Sequence, residues 1–241
     1  MAPTLSAPPS AAITNRLVAA LPAAERERLL GRCERVQLEF STVLTDPGEP
    51  LRHVYFPTTS FISLVTPMGG KSILEVALAG NEGMFGVSAA LGVPTSNVRA
   101  LVQGKGEAWR MGTPAFRREL AASAALDKGV RRYIHVLMSQ LAQAAGCNRF
   151  HLVEQRLARW LLMTGDRAHA PTFHITHEFL AFMLGVRRVG ITKAATALQR
   201  RKLIAYSRGE VAILDRAGLE AASCSCYQAD LDTYDFAFRK S

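Results

Sequence analysis

From Val36 to Met111 the chain never runs far without a turn signal, and that rhythm restricts its fold more than any other feature. Apolar runs such as VQLEF, HVYFP, FISLV, SILEVALAG and VRALVQG alternate with Asp46-Pro47-Gly48, Gly69-Gly70 and Gly104-Lys105-Gly106, roughly one turn per ten residues. Segments this short cannot be long helices. They read as strands of an antiparallel β-roll of jelly-roll type. Ahead of them, RLVAALPAAERERLLGR (16–32) has helical spacing broken at Pro22. Residues 1–15, rich in Pro, Ala and Ser, are expected to be a disordered tail. They lack a signal-peptide pattern, and no apolar run reaches the roughly 20 residues of a membrane span. A cytoplasmic protein without membrane contact is expected.

The periodicity changes at Thr113-Pro114, a capping hydroxyl followed by proline, which predicts a helix over 114–122. In the helical stretch 126–147, Val130, Ile134, Leu137, Leu141 and Ala144 follow a heptad rhythm and predict a dimer seam. A core helix lying on the roll would show the same stripe. The next helix, 152–164, has Val153, Leu157, Trp160, Leu161 and Thr164 on its core face and Arg156 and Arg159 off it. A loop should follow from Gly165 to Thr172. The expected fold is α+β: roll domain 16–122, dimer helix 123–148, second domain 149–227 and C-terminal tail 228–241.

The second domain carries the strongest functional signal. In HITHEFLAFMLGVRRVGITKAATALQRRKLI (174–204), Thr176 can cap a helix, Gly185 sits at a sharp turn, and Val186 can fill the space between two helices. The second helix, 188–200, turns Ile191, Ala194, Ala195 and Leu198 inward and Arg187, Arg188, Val189, Thr192 and Lys193 outward at its start. That is the arrangement by which a recognition helix meets the major groove of duplex DNA. Arginine can grip guanine O6 and N7 there, while Val189 offers only apolar contact. Leu203 to Leu214 alternates as a hairpin turning at Arg208-Gly209, a basic wing. Residues 149–210 carry eleven Lys or Arg against four Asp or Glu, much of the +9 net charge of the 241 residues. Such a surplus favours a polyanionic partner without specifying sequence.

With these motifs in view, residues 16–227 resemble the Crp/Fnr transcription regulators. The order of roll, long helix and winged helix-turn-helix agrees, and so do Ile175-Thr176, Gly185, Arg188, Leu203-Ile204 and VYFPTTSFISLV. The resemblance implies a homodimer on a two-fold DNA site, RNA polymerase as a further partner, and an effector site in the roll near Gly86, Val87, Thr95, Ser96 and Arg99. In cyclic-nucleotide binders of the family a Gly-Glu pair and an Arg-Ser/Thr pair hold the ribose and phosphate. Val87 and Thr95 stand where Glu and Arg would be, and losing such an arginine costs about 2–5 kcal/mol. Cyclic AMP is therefore not expected. Neither is an iron–sulfur cluster, since no cysteine precedes Cys33, nor haem, for which only His53 and His135 offer themselves. Cys224 and Cys226 form a lone CxC without a second close pair, and with Cys33 and Cys147 they read as free thiols, so no metal is expected. Neither a phosphate loop, a nucleophile elbow nor HExxH occurs, and no catalytic residue is assigned. The alternative function is a nucleotide-binding signalling module acting through protein partners.

Overall fold

The computed structural model describes residues 15–70, 72–170 and 172–239. The tail expected at 1–15 lies outside them except for Asn15. That side chain is buried: it caps α1 (Arg16–Ala19) by accepting from Val18 N, and its amide donates to the carbonyls of Pro57 and Gly83. After the break at Pro22 comes α2 (Ala23–Leu30).

Seven strands follow: β1 (Glu34–Leu38), β2 (Val43–Thr45), β3 (His53–Pro57), β4 (Phe61–Pro67), β5 (Ile73–Ala79), β6 (Arg99–Gly104) and β7 (Gly106–Gly112). They form two antiparallel sheets, ordered β1-β7-β3 and β2-β6-β4-β5. The turn residues explain the split, because each ends a strand before it can span both sheets. Between the sheets and the helices lie Phe56, Ile62, Met84, Met111 and Phe116. Helix α3 (Thr113–Ala122) begins one residue earlier than expected. Gly112 takes the cap position, while the Thr113 hydroxyl donates to Leu51 O and ties the helix to the roll.

Helix α4 (Ala124–Phe150) is a single 27-residue rod, capped by Ser123, whose hydroxyl accepts from Leu126 N. Its predicted seam is corrected. Val130 and Leu137 are buried within their own chain, where Tyr133 and Val136 join them on the roll. The exposed heptad is displaced by one residue: Arg131, His135, Met138, Ala142 and Ala145. Leu141 is exposed at its edge, and a Cβ on Gly146 would meet open space. One residue is about 100° of helix rotation, so the core stripe and the free stripe lie side by side.

Helix α5 (Val153–Ala168) runs beyond its expected end, and β8 (Thr172–His174) replaces part of the expected loop. Arg156 and Arg159 are not on an outer face. Arg156 is buried and donates to Asn148 Oδ1 and Leu184 O, while Arg159 pairs with Asp230 at 2.5 Å. Next come α6 (His177–Leu184), α7 (Arg188–Arg200), β9 (Ile204–Ser207), β10 (Glu210–Ile213) and α8 (Arg216–Ala222). The tail expected from 228 is instead the body of α9 (Cys226–Phe238). It returns to pack on α4, with Tyr234 Oη donating to Glu82 O.

The two domains meet across a partly polar seam. Trp160 Nε1 donates across it to Glu75 Oε1 at 2.8 Å and Arg167 holds Glu82 at 2.7 Å, while Ser63 Oγ donates to Glu75 within the roll. Burial pushes the Glu75 carboxyl up to about 7, against those two hydrogen bonds, which favour its charged form. Between the ordinary 4.5 and about 7 the folded chain retains a proton that the unfolded chain releases. Stability therefore falls as pH rises through that window. Glu75→Gln, neutral at every pH, is expected to flatten this slope and to stabilise the chain at about pH 8 by about 3 kcal/mol. Calorimetry across the window is the check, and an unchanged slope would contradict the assignment.

Candidate nucleic-acid interface

Thr176 has extended backbone at the cap of α6, and its hydroxyl accepts from Phe179 N at 3.1 Å. Gly185 ends the helix at φ 62°, a left-handed conformation that side chains resist. A Cβ there would also come within 2.9 Å of Leu74. Val186 turns into the core between the helices. Helix α7 then starts with Arg187 at its cap and Arg188 as its first residue. Ile191, Ala194, Ala195 and Leu198 are buried beneath it. These are the positions that sequence spacing assigned inward, so the opposite face had to point out.

On that outward face Arg187, Arg188, Val189, Thr192 and Lys193 are all exposed, Val189 by 54%. Thr196, which the sequence analysis missed, extends the same face one turn after Thr192, at a spacing that could have revealed it. The first turn of α7 has neither an acidic residue nor a capping side chain. Its leading N–H groups and two arginines thus concentrate positive potential at the helix start. Three other arginines of the domain are occupied: Arg159 by Asp230, Arg201 by Glu154 and Arg216 by Asp166. Among the described residues no carboxylate pairs with Arg187, Arg188, Lys193 or Arg208.

His177, also missed by sequence, locks this surface from behind. Its ring stacks on Tyr206 at 4.4 Å, and Nδ1 lies 3.1 Å from Thr192 Oγ1. Thr192 donates to Arg188 O, so it accepts from an Nδ1-protonated imidazole. Burial, reinforced by the Arg188 charge, lowers the His177 pKa and favours this neutral ring. The Thr192 hydroxyl proton is therefore spent within the protein, leaving the exposed side chain as an acceptor only. Arg208 and Gly209, both at positive φ, make the tight turn between β9 and β10, and β8 completes the three-stranded wing.

Thr176 serves as a helix cap first. Thr176→Ala is expected to lower the stability of the helix-turn-helix by about 1 kcal/mol, with Thr176→Ser retaining it, as read by thermal unfolding. Equal stability of all three chains would remove the capping role.

A second candidate site lies in the roll. A cavity of about 500 Å³ is lined by Gly86, Val87, Thr95 and Ser96 and closed by Ile134, Leu137, Met138 and Leu141 of α4. Gly86, at φ 101°, brings its backbone against Val54, where a Cβ would lie 2.8 Å from Val54 Cγ1. No described residue lining the cavity is charged. Arg99 is not brought in: it pairs with Asp46 at 2.5 Å on β6, which corrects its expected place in the pocket. The Ser96 hydroxyl is already committed to the backbone of Val98.

Residues 155–222 match the family model of the Crp-like helix-turn-helix domain. Among solved structures the chain is similar to FixK2 from Bradyrhizobium japonicum, with TM-score 0.68, 12% identity, and coverage of 80% of this chain and 98% of that one. It is also similar to a CRP-family transcriptional regulator from Thermus thermophilus, with TM-score 0.66, 18% identity, and coverage of 78% and 96%. The c-di-GMP responsive global regulator CLP of Xanthomonas campestris gives TM-score 0.65, 17% identity, and coverage of 80% and 99%. No curated protein sequence matches this one. Among the described residues no helix is long and apolar enough to cross a membrane.

Proposed function

We propose that this chain, which has the fold of Crp/Fnr-type regulators and a Crp-like helix-turn-helix domain, is a transcription regulator that acts without catalysis in the cytoplasm as a homodimer reading a two-fold duplex DNA site through α7. The observation that carries this is the unpaired basic start of α7, raised on a buried face and flanked by an exposed basic wing. Arg187 and Arg188 supply charge and guanine recognition, Val189 and the Thr192 methyl supply apolar contact to thymine, and Lys193 and Arg208 approach phosphate. Contact with RNA polymerase belongs to the same proposal.

The cavity supports control by a small uncharged, mainly apolar effector. Its described lining has no cation to neutralise a cyclic phosphate, so cyclic AMP and cyclic di-GMP fit it poorly. Because α4 closes it, an effector there touches the helix that the dimer would share, and it acts only insofar as it binds one arrangement of that helix better.

Selection from random duplexes with the purified full-length chain tests the DNA-reading proposal. The expected product is an inverted repeat with half-sites one helical turn apart. Enrichment of a non-repeated sequence, or none at all, would defeat it.

A further inference from the structure

Outside both candidate sites, four side chains that sequence kept apart meet at the hinge between the domains. Cys147 lies in the last turn of α4 and His151 at its C-cap, while Cys224 and Cys226 join α8 to α9. Their ligand atoms all lie within 4.8 Å of one another. Cys147 Sγ is 3.5 Å from Cys224 Sγ, and Cys226 Sγ is 3.4 Å from His151 Nδ1. The thiols are free, as expected, but three of the four are not scattered: the second close pair that the sequence lacked is Cys147 and His151, one helical turn apart. We propose that these four residues bind one zinc ion in a closed tetrahedral site that clasps the DNA-reading domain to the end of α4.

The geometry is that of one ion. Bonds of about 2.3 Å to sulfur and 2.0 Å to nitrogen place tetrahedral ligand atoms about 3.5–3.8 Å apart, close to the two separations above. A cluster of several irons would hold its sulfurs farther apart than these. Three thiolates and one imidazole make the soft, complete donor set of a structural zinc site, with no position left for substrate. Binding releases three thiol protons, and His151 contributes the lone pair of neutral Nδ1.

The surroundings suit the single negative charge that results. The three sulfurs are buried, Cys226 completely. Gln143 Nε2 donates to Cys226 Sγ at 3.0 Å, as outer partners of metal thiolates do. Arg156 and Arg159 line the adjoining cleft with Cys147.

Cys147 and Cys224 are separated by 77 positions, and the whole Crp-like domain at 155–222 lies between them. An ion here closes that loop at both ends of the domain. Between α4 and α5 only His151 and Leu152 intervene, so the hinge would be held by its own ligand.

The test uses the untagged full-length chain purified under reducing conditions, with metal content measured by mass spectrometry and the apoprotein reloaded with cobalt(II). One zinc per chain is expected, together with intense tetrahedral d–d bands and thiolate-to-cobalt charge transfer on reloading. Cys147→Ser and Cys226→Ser should lose these bands and Cys33→Ser should keep them. Removing the metal should hasten proteolysis at 148–152. Should the serine variants fail to fold, the cobalt spectrum of the native chain still decides. Weak octahedral bands, a metal-free chain that cobalt does not load, a Cys147–Cys224 disulfide, or iron with labile sulfide would each overturn the site. None of these measurements uses DNA, so they stand or fall separately from the proposed DNA reading.

Discussion

Replacing Arg188 with alanine is expected to abolish sequence-specific DNA binding while leaving the fold intact. The side chain is exposed at the first position of α7, no carboxylate holds it, and its removal opens no cavity. A bidentate arginine–guanine contact contributes about 1–3 kcal/mol, and a dimer loses it in both half-sites. The combined loss is a roughly 30- to 10⁴-fold weaker complex on the selected repeat. Fluorescence anisotropy at fixed salt measures it, with circular dichroism reporting the fold. Lys193→Ala provides the contrast: it should weaken all sequences alike and reduce the salt slope by about one per contact. An Arg188→Ala chain that still discriminates its site would place recognition elsewhere.

The second large effect concerns α4. Changing Met138 and Leu141 together to aspartate is expected to give a folded monomer. Both side chains are exposed in the single chain, 64% and 44%, so the charges cost the protomer little. In a helix pair they would face one another, unpaired and desolvated. Ala142, Ala145 and Gly146 leave room there for a close partner helix. Affinity for the full repeat should fall at least about a hundredfold as the two half-sites become independent. Sedimentation equilibrium reads the assembly state directly. Leu137→Asp is the uninformative choice, because Leu137 is buried against the roll and a charge there attacks the core itself. A native chain that sediments as a monomer at all concentrations would end the two-fold proposal.

The helix-turn-helix was legible because its determinants are local. Thr176 caps, Gly185 accepts a left-handed turn, and the inward positions of α7 repeat every three or four residues, so the exposure of Arg187, Arg188 and Lys193 follows. The wing turn at Arg208-Gly209 is equally local. His177 was not legible, because its role depends on Tyr206 and Thr192 meeting it in space. Helix α9 did leave a signal, Tyr227, Leu231, Tyr234 and Phe238 at helical spacing, but it was short and interrupted by polar residues.

The amino-acid sequence alone determined the kinds and order of the elements from α1 to α8, β8 apart, and the outward face of α7, since propensity, turn chemistry and periodicity act over a few residues. Tertiary structure alone decided which stripe of α4 met the roll, a difference of one residue in a helix apolar on adjoining faces. It also decided that Arg99 pairs with Asp46 outside the cavity, and that Cys147, His151, Cys224 and Cys226 share one small volume. Those outcomes depend on which distant surfaces bury one another, and no local pattern encodes a contact across 77 positions.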